Sequence, residues 1–227
     1  KQVFNQEQLA IIRERLEDGN WLDGKSSAGL QAQAVKANLQ LDESTELYQQ
    51  LCQAVMKALS NNEVFVSASL ANKIYPPKFN CYANGGAYGE HIDSAILELG
   101  QGERMRSDLA ATLFFDEPES YTGGELLINA AYGQQSVKLA AGDKVLYPAD
   151  TLHQVKAVSK GQRRCAFFWV ESLVRDAKQR EMLFDLDQTI QRLRLQQTAH
   201  NTDADESAEI KKLTGLYHNL LRTWAVS

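Results

Sequence analysis

The chain has 227 residues, of which 44% are hydrophobic and 23% charged, and these proportions exclude a disordered, collagenous or coiled-coil protein. Its 24 lysines and arginines are outnumbered by 29 aspartates and glutamates, and the formal net charge of −5 argues against broad electrostatic capture of nucleic acid or of anionic membranes. The length allows one large domain or a core with a small appendage.

Hydropathy and cysteine usage favour a cytoplasmic protein. No window approaches the roughly 18 consecutive apolar residues that span a bilayer, and the N-terminal residues lack a basic region followed by an apolar run. The three cysteines, Cys52, Cys81 and Cys165, form no CxxC pair. We therefore expect free thiols in a reducing compartment.

Two helices are predicted near the N-terminus. Asn5 and Gln8 have the spacing of a capping box, and the helix that follows them ends before Gly19. A second helix is predicted over residues 44–59, where an apolar residue recurs at every fourth position. The intervening segment 21–41 has no clear period.

From residue 63 to residue 171 the sequence consists of short alternating or apolar runs separated by turn residues, which is typical of an all-β domain. The candidate strands are Val64–Ser69, Lys78–Tyr82, His91–Ala95, Leu109–Phe115, Glu125–Asn129, Ser136–Leu139, Lys144–Tyr147, His153–Val158 and Arg163–Glu171. Eight or nine such strands indicate a sandwich, a barrel or a jelly roll, and the pattern does not separate these alternatives.

The helical period returns after residue 171. One helix is predicted up to about Gln197, followed by a polar loop over residues 198–206 and a last helix that starts near Asp203 and carries a broad apolar stripe up to Trp224. Helices this amphipathic must bury their apolar faces against another part of the protein or against a partner. The sequence leaves open whether they cover the β region or associate with a second subunit.

His91 and Asp93 are candidates to bind one metal ion together. They open the predicted strand His91–Ala95, where residues two apart project from the same face, whereas a helix would turn them about 200° apart. Two histidines and one carboxylate make the facial triad of non-haem iron(II) oxygenases, and His153 would complete it. The alternative is that both histidines are ordinary polar residues at strand ends.

Arg163 is a candidate anion-binding residue. It follows His153 by ten residues, across the turn at Lys160 and Gly161, so the two are expected on adjacent strands of a hairpin. A guanidinium pairs with a carboxylate through two parallel hydrogen bonds, which suits an acidic cosubstrate in a closed barrel. The alternative is a solvated edge residue. Arg164 points to the opposite face, so the pleat decides which arginine lies inside.

The motifs of the β region resemble the prolyl 4-hydroxylase-like branch of the iron(II)/2-oxoglutarate-dependent dioxygenases. They are Tyr82-x-x-Gly85-x-x-Tyr88-x-x-His91-x-Asp93, Gly123-Gly124-Glu125, Gly142-Asp143, His153 and Arg163. An N-terminal signature is similar to that of the PKHD-type hydroxylases, and the likeness continues into the C-terminal helices. That signature comprises Trp21-x-Asp23-Gly24, Ala28-Gly29 and Val35-Lys36-x-Asn38-x-Gln40.

The resemblance implies a mainly β protein built on a double-stranded β-helix, which is a jelly-roll form. The dioxygenase domain would cover residues 1–172, with N-terminal helices in residues 1–62 and the jelly-roll core in residues 63–172. A C-terminal helical subdomain would cover residues 173–227.

The resemblance also implies the chemistry of the site. Iron(II) would be bound by His91, Asp93 and His153, and Arg163 would hold the distal carboxylate of 2-oxoglutarate. A tyrosine at the position of Tyr82 adds a hydrogen bond to this cosubstrate in some relatives, and its other interpretation is a half-buried strand aromatic. Oxidative decarboxylation of 2-oxoglutarate by O2 would be coupled to hydroxylation of an unidentified substrate. The family name indicates a prolyl or lysyl side chain, and L-ascorbate (vitamin C) is the implied reductant.

Two other classes of function remain open on the sequence. One is a cupin-like metal-dependent enzyme that uses the same three ligands without a keto-acid cosubstrate. The other is a non-catalytic jelly-roll module for binding or sensing, whose metal is structural. The sequence has no nucleophile elbow, no glycine-rich phosphate loop and no HExxH, so hydrolase and nucleotide-binding functions lack support.

Overall fold

The computed structural model describes residues 2–27, 35–130, 133–200 and 206–226. Two residues of the N-terminal signature, Ala28 and Gly29, lie outside the described residues, as does Asp203 near the predicted start of the last helix. No helix of the described part is both long enough and apolar enough to cross a membrane.

Within the described ranges, sixteen strands form two main sheets and two short pairs. They are β1 (Trp21–Asp23), β2 (Lys36–Ala37), β3 (Leu39–Leu41), β4 (Ala71–Ile74), β5 (Lys78–Ala83), β6 (Ala87–His91), β7 (Ile96–Gly100), β8 (Glu103–Arg106), β9 (Leu109–Phe114), β10 (Thr122–Gly123), β11 (Leu126–Ala130), β12 (Gly133–Val137), β13 (Lys144–Pro148), β14 (His153–Val155), β15 (Val158–Lys160) and β16 (Gln162–Ser172).

The larger sheet has the order β1-β3-β5-β16-β9-β13, with β4 also paired to β16, and the smaller sheet has the order β12-β11-β14-β6-β2. Every pair in these sheets is antiparallel. The inner faces of the two sheets share an apolar cluster to which Tyr82 and Cys165 contribute from one side and Leu126 and Val155 from the other. The predicted jelly roll is therefore the observed architecture.

Five α-helices lie outside the two sheets in the described part of the chain. They are α1 (Gln6–Glu17), α2 (Glu46–Ser60), α3 (Glu63–Ser69), α4 (Ala177–His200) and α5 (Ala208–Trp224). The predicted capping box is present, because Gln8 N donates to Asn5 Oδ1 at 2.9 Å and Asn5 N donates to Gln8 Oε1 at 3.0 Å. Apolar residues of α1 and α2, among them Leu16 and Leu59, pack with Phe79 and Phe168 of the larger sheet.

The predicted strand Val64–Ser69 is wrong, because this segment forms α3. Asn62 caps the helix by accepting a hydrogen bond from Phe65 N at 2.9 Å, and Leu70 ends it in the left-handed conformation at φ 44°. The cap and the burial of Phe65 outweigh the β propensity of a short run with two valines.

Segment 21–41, for which no element is predicted, contributes strands to both sheets. Trp21 Nε1 donates to the carbonyl of Leu16 at 3.1 Å and thereby joins β1 to the end of α1. Gly24 N donates to the carbonyl of Asn38 at 2.9 Å, and a Cβ at Gly24 would lie 2.2 Å from Asn38 Oδ1. Three signature residues therefore have structural roles, with glycine required by close packing.

The two C-terminal helices pack on each other and on the end of the β domain. Leu183 of α4 shares a buried cluster with Leu70 and Val174, against which Leu221 and Trp224 of α5 pack. The chain end is also tied back by a hydrogen bond from Val226 N to the carbonyl of Leu173 at 2.8 Å. The apolar stripe is thus covered at least in part by the same chain.

Arg164 and Asp116 form a buried ion pair between β16 and the segment after β9. Arg164 Nη2 lies 2.7 Å from Asp116 Oδ1, both side chains are 7% exposed, and the backbone N of Arg164 donates to Asp116 Oδ2 at 2.6 Å. Arg164 Nη1 also reaches Glu17 of α1 at 2.6 Å, although Glu17 is 61% exposed. This arginine therefore links α1 to the sheet.

We expect Asp116→Ala to lower the free energy of unfolding by about 3–5 kcal/mol, because it leaves the Arg164 cation without its buried carboxylate. Glu17→Gln is the matched control and is expected to cost less than about 1 kcal/mol, since its carboxylate is solvated. Urea unfolding of the three proteins measures the difference. Equal losses for the two variants would contradict this account.

Candidate metal centre and cosubstrate pocket

His91 and Asp93 meet at one end of the smaller sheet. His91 is the last residue of β6, and Asp93 follows after the chain has left the sheet, so the predicted strand His91–Ala95 is wrong beyond its first residue. The ladder ends here because β14, the partner of β6, begins at His153 opposite His91. Ile92, at 58% exposed, points to solvent, and Asp93 still turns inward with a side chain 8% exposed.

Backbone carbonyls orient both imidazole rings. The Nδ1 atom of His91 donates to the carbonyl of Gly89 at 2.8 Å, and Nδ1 of His153 donates to the carbonyl of Thr151 at 2.8 Å. A carbonyl can only accept, so each Nδ1 carries the proton and each Nε2 is left as a lone-pair donor. The ring centroids lie 4.3 Å apart. Both rings are therefore set up as metal ligands through Nε2.

The three predicted ligands converge on one point. One donor atom each from His91, Asp93 and His153 lies within 4.8 Å of the others, and His153 Nε2 is 3.8 Å from Asp93 Oδ2. Three donors this close together could hold a single ion. Two imidazoles and a carboxylate, grouped on one side of a cavity, fit a non-haem iron(II) site.

Burial perturbs the protonation of this group. Burial and the nearby His153 lower the pKa of His91 to about 4, so its imidazole is neutral at pH 7, the form that binds metal. Burial raises the pKa of Asp93, although His153 and a hydrogen bond from Trp169 act in the opposite direction. A bound divalent cation would offset the cost of keeping this carboxylate charged out of water.

Aromatic side chains enclose the three donors. The ring of Tyr88 stacks on His91 with centroids 3.7 Å apart, and the ring of Tyr147 lies 5.2 Å from that of His153. Trp169, which the sequence analysis does not single out, also lines the cavity beside Asp93. The signal that could have placed it is the period of two along β16, which puts Trp169 on the same face as Arg163.

Arg163 lies in the same cavity and is 1% exposed. Its Nη1 donates to Cys165 Sγ at 3.1 Å, whereas Nε and Nη2 make no hydrogen bond of normal geometry. The guanidinium lies 5.2 Å from the ring of Tyr82 and 5.0 Å from the ring of Phe114. A buried cation with unused donors is costly unless an anion joins it, so this position fits a carboxylate ligand. The alternation of side chains along β16 thus points Arg163 into the cavity and Arg164 to the opposite face of the sheet.

Tyr82 is 2% exposed, so this strand aromatic is buried rather than half-buried, and its hydroxyl accepts a hydrogen bond from Asn80 Nδ2 at 3.2 Å. Burial raises the pKa of Tyr82, and the hydroxyl therefore stays protonated at neutral pH. It remains available to donate a hydrogen bond into the cavity that Arg163 also lines.

Comparison with known proteins identifies the family. A model of the 2OG-Fe(II) oxygenase superfamily matches residues 77–171, and a model of the PKHD-type hydroxylase C-terminal domain matches residues 177–225. A PKHD-type hydroxylase of Pseudoalteromonas atlantica is 48% identical over 224 residues, which cover 98% of this chain and 96% of that protein. The chain belongs to the PKHD-type hydroxylases.

Solved structures place this PKHD-type hydroxylase in a known fold. A prolyl-4-hydroxylase of Pseudomonas putida aligns with a TM-score of 0.50 at 19% identity, covering 76% of this chain and 90% of that one. HygX of Streptomyces hygroscopicus, solved with nickel, 2-oxoglutarate and hygromycin B, aligns with a TM-score of 0.51 at 12% identity, covering 75% and 80%. The shared architecture is the jelly roll.

Membership of this superfamily confirms the predicted reaction class. The PKHD-type hydroxylase is an oxidoreductase, a dioxygenase that requires iron(II) and takes 2-oxoglutarate and O2 as cosubstrates. Its hydroxylation substrate is unidentified.

We expect His153→Ala to weaken iron(II) binding by more than about 100-fold, because loss of a partner outside the ligand set alone costs on the order of 10–100-fold. His218→Ala, which changes an exposed histidine on α5, is the control and should bind iron(II) like the wild type. Anaerobic calorimetric titration measures both. Wild-type affinity in His153→Ala would remove this histidine from the ligand set.

Proposed function

We propose that His91, Asp93 and His153 are the iron(II) ligands of this enzyme, and that Arg163 and Tyr82 bind 2-oxoglutarate. The observation that carries the proposal is the convergence of three metal-binding donors in one cavity with a buried guanidinium whose Nε and Nη2 make no hydrogen bond of normal geometry. A metal-binding group alone would serve a cupin-like enzyme or a structural metal. The additional buried cation favours an enzyme with an acidic cosubstrate.

The proposed roles follow from the surroundings of each side chain. Bound iron(II) would supply the redox chemistry of O2 activation and C–H hydroxylation. The carbonyls of Gly89 and Thr151 hold the two imidazoles in the tautomer that presents Nε2. Tyr88 and Tyr147 pack on these rings and exclude bulk water from the centre.

Arg163 would orient the cosubstrate through its distal carboxylate. Its planar fork can donate two parallel hydrogen bonds, and Cys165 holds Nη1 from the side. Tyr82, still protonated, would donate a third hydrogen bond to the same carboxylate. Since Arg163 is buried, these charge-assisted bonds are stronger than they would be in water.

The proposal also covers the substrate, the reductant, the cellular location, the domain boundaries and the oligomeric state. The family name supports a prolyl or lysyl side chain as the substrate and L-ascorbate as the reductant. Three free thiols support a cytoplasmic location.

The two family models meet between residues 171 and 177, which supports a division into a dioxygenase domain, residues 1–172, and a helical subdomain, residues 173–227. Exposed apolar residues on the last two helices, Leu195 and Leu216, support homo-oligomerisation.

Arg163→Gln is expected to weaken 2-oxoglutarate binding by about 100-fold, because hydrogen bonds to a charged group contribute roughly 1.5–3 kcal/mol each and tenfold corresponds to about 1.4 kcal/mol. Iron(II) affinity should stay at the wild-type level. The matched control is Arg104→Gln, an exposed arginine on β8. Unchanged 2-oxoglutarate affinity in Arg163→Gln would favour the enzyme class without a keto-acid cosubstrate.

The assignment of the cosubstrate is tested on the wild-type protein by adding 2-oxoglutarate to the iron(II) form without oxygen. A keto acid bound to iron through two oxygens gives a weak visible charge-transfer band, which we expect in the wild type and not in His153→Ala. The absence of this band in the wild type would favour a binding module. Mass spectrometry for a gain of one oxygen, after incubation with cell extract, identifies the hydroxylated substrate.

A further inference from the structure

A second cationic side chain lies in the cavity of the metal site. Lys36 of β2 is 2% exposed and lines the same cavity as His91, Asp93 and Arg163. It is paired across the sheet with Tyr88, whose ring stacks on His91. One aromatic ring therefore separates this lysine from a proposed iron ligand.

The surroundings of Lys36 fix the position of its ammonium group. The Nζ atom lies 5.4 Å from the ring centroid of Tyr88 and 5.9 Å from that of Phe167, distances at which aromatic faces attract a cation. It also donates to Gln40 Oε1 at 3.3 Å. Gln40 is held in turn, because its Nε2 donates to Glu43 Oε1 at 2.9 Å and Glu43 pairs with Lys78.

Lys36 and Arg163 lie in different parts of the cavity. Arg163, Cys165, Phe167 and Trp169 alternate along β16 and all line the cavity. Arg163 and Phe167 are four residues apart, which corresponds to roughly 13 Å along a strand. Since the ammonium of Lys36 lies beside Phe167, the cavity has one cation at the level of Arg163 and another farther along β16.

The charge of Lys36 persists at neutral pH. Burial, followed by the repulsion of Lys78, lowers the pKa of Lys36 to about 8, although Asp23 and Glu43 act in the opposite direction. Most of the molecules are still protonated at pH 7. A single ammonium between aromatic rings matches one negative charge, as on a carboxylate. A phosphate dianion would need further cationic or backbone N–H donors.

We propose that Lys36 is a specificity-determining residue that binds a carboxylate of the hydroxylation substrate and thereby places the substrate beside the metal. This inference rests on the proposed function and names its substrate class, which is a carboxylic acid. The carboxylate is either the α-carboxylate of an amino acid or the side-chain carboxylate of an acidic residue. The Lys36 and Gln40 positions of the N-terminal signature thus gain a role in the site.

The test measures binding rather than turnover. Wild type, Lys36→Met and Lys36→Arg are loaded with iron(II) and saturating 2-oxoglutarate without oxygen, and matched acids and amides are titrated by calorimetry. N-acetyl-L-proline and N-acetyl-L-lysine, with their carboxamides, probe an α-carboxylate. N-acetyl-L-glutamic acid α-amide, with N-acetyl-L-glutamine amide, probes a side-chain carboxylate. Lys160→Met, which changes an exposed lysine, is the control.

The wild type is expected to bind at least one acid about 10–100-fold more tightly than its amide, the range for a hydrogen bond to a charged group. Lys36→Met should lose this preference, while Lys36→Arg keeps part of it and Lys160→Met keeps all of it. The 2-oxoglutarate charge-transfer band should titrate alike in all four proteins. If Lys36→Met does not fold, as judged by circular dichroism, Lys36→Gln replaces it.

The inference is overturned if the wild type binds no acid more tightly than its amide, or if the preference survives in Lys36→Met. It is also overturned if Lys36→Met weakens 2-oxoglutarate binding by the same factor, because Lys36 would then belong to the cosubstrate site. Failure of the proposed function gives a different result, since the wild type would then show no band with 2-oxoglutarate before any acid is added.

Discussion

The register between β6 and β14 is the constraint on which the rest of this structure depends. It sets His91 directly opposite His153, and it ends there, so that the chain is free to turn Asp93 back toward both imidazoles. Carbonyls on either side of the ladder, from Gly89 and Thr151, hold the ring protons on Nδ1. A shift of one residue in this pairing would move one histidine to the other face of the sheet and separate the three donors.

Two consecutive arginines on β16 show how one strand combines stability with binding. Arg164 lies on the face of the sheet opposite the cavity and is paired with Asp116, so the cost of burying its charge is compensated within the protein. Arg163 faces inward, where Nε and Nη2 make no hydrogen bond of normal geometry and the Tyr121 hydroxyl lies beside the guanidinium, so these donors can turn to an anion. The same alternation continues to Phe167 and Trp169, so one strand of the larger sheet lines the cavity from the proposed cosubstrate site to the three proposed metal ligands of the smaller sheet.

The sequence was sufficient for features that depend on local chemistry or on rare residue types. The capping box at Asn5 is local, and His153, which the sequence pairs with His91, lies opposite it across the ladder. Features that depend on tertiary contacts were missed. A short run with two valines became α3 because Asn62 caps it and Phe65 is buried. Lys36 could not be placed in the cavity, because β2 has only two residues and owes its position to pairing with β6 rather than to a period in the sequence.

The central claim is that two imidazoles and one carboxylate gather around a single ferrous ion between the two sheets. X-ray absorption spectroscopy of the anaerobic iron(II) protein tests it most directly, because outer-shell scattering from imidazole rings reports how many histidines bind the metal. The account predicts two imidazoles, with all remaining ligands oxygen or nitrogen. A site with one imidazole or none, or a sulfur scatterer contributed by one of the three cysteines, would contradict it.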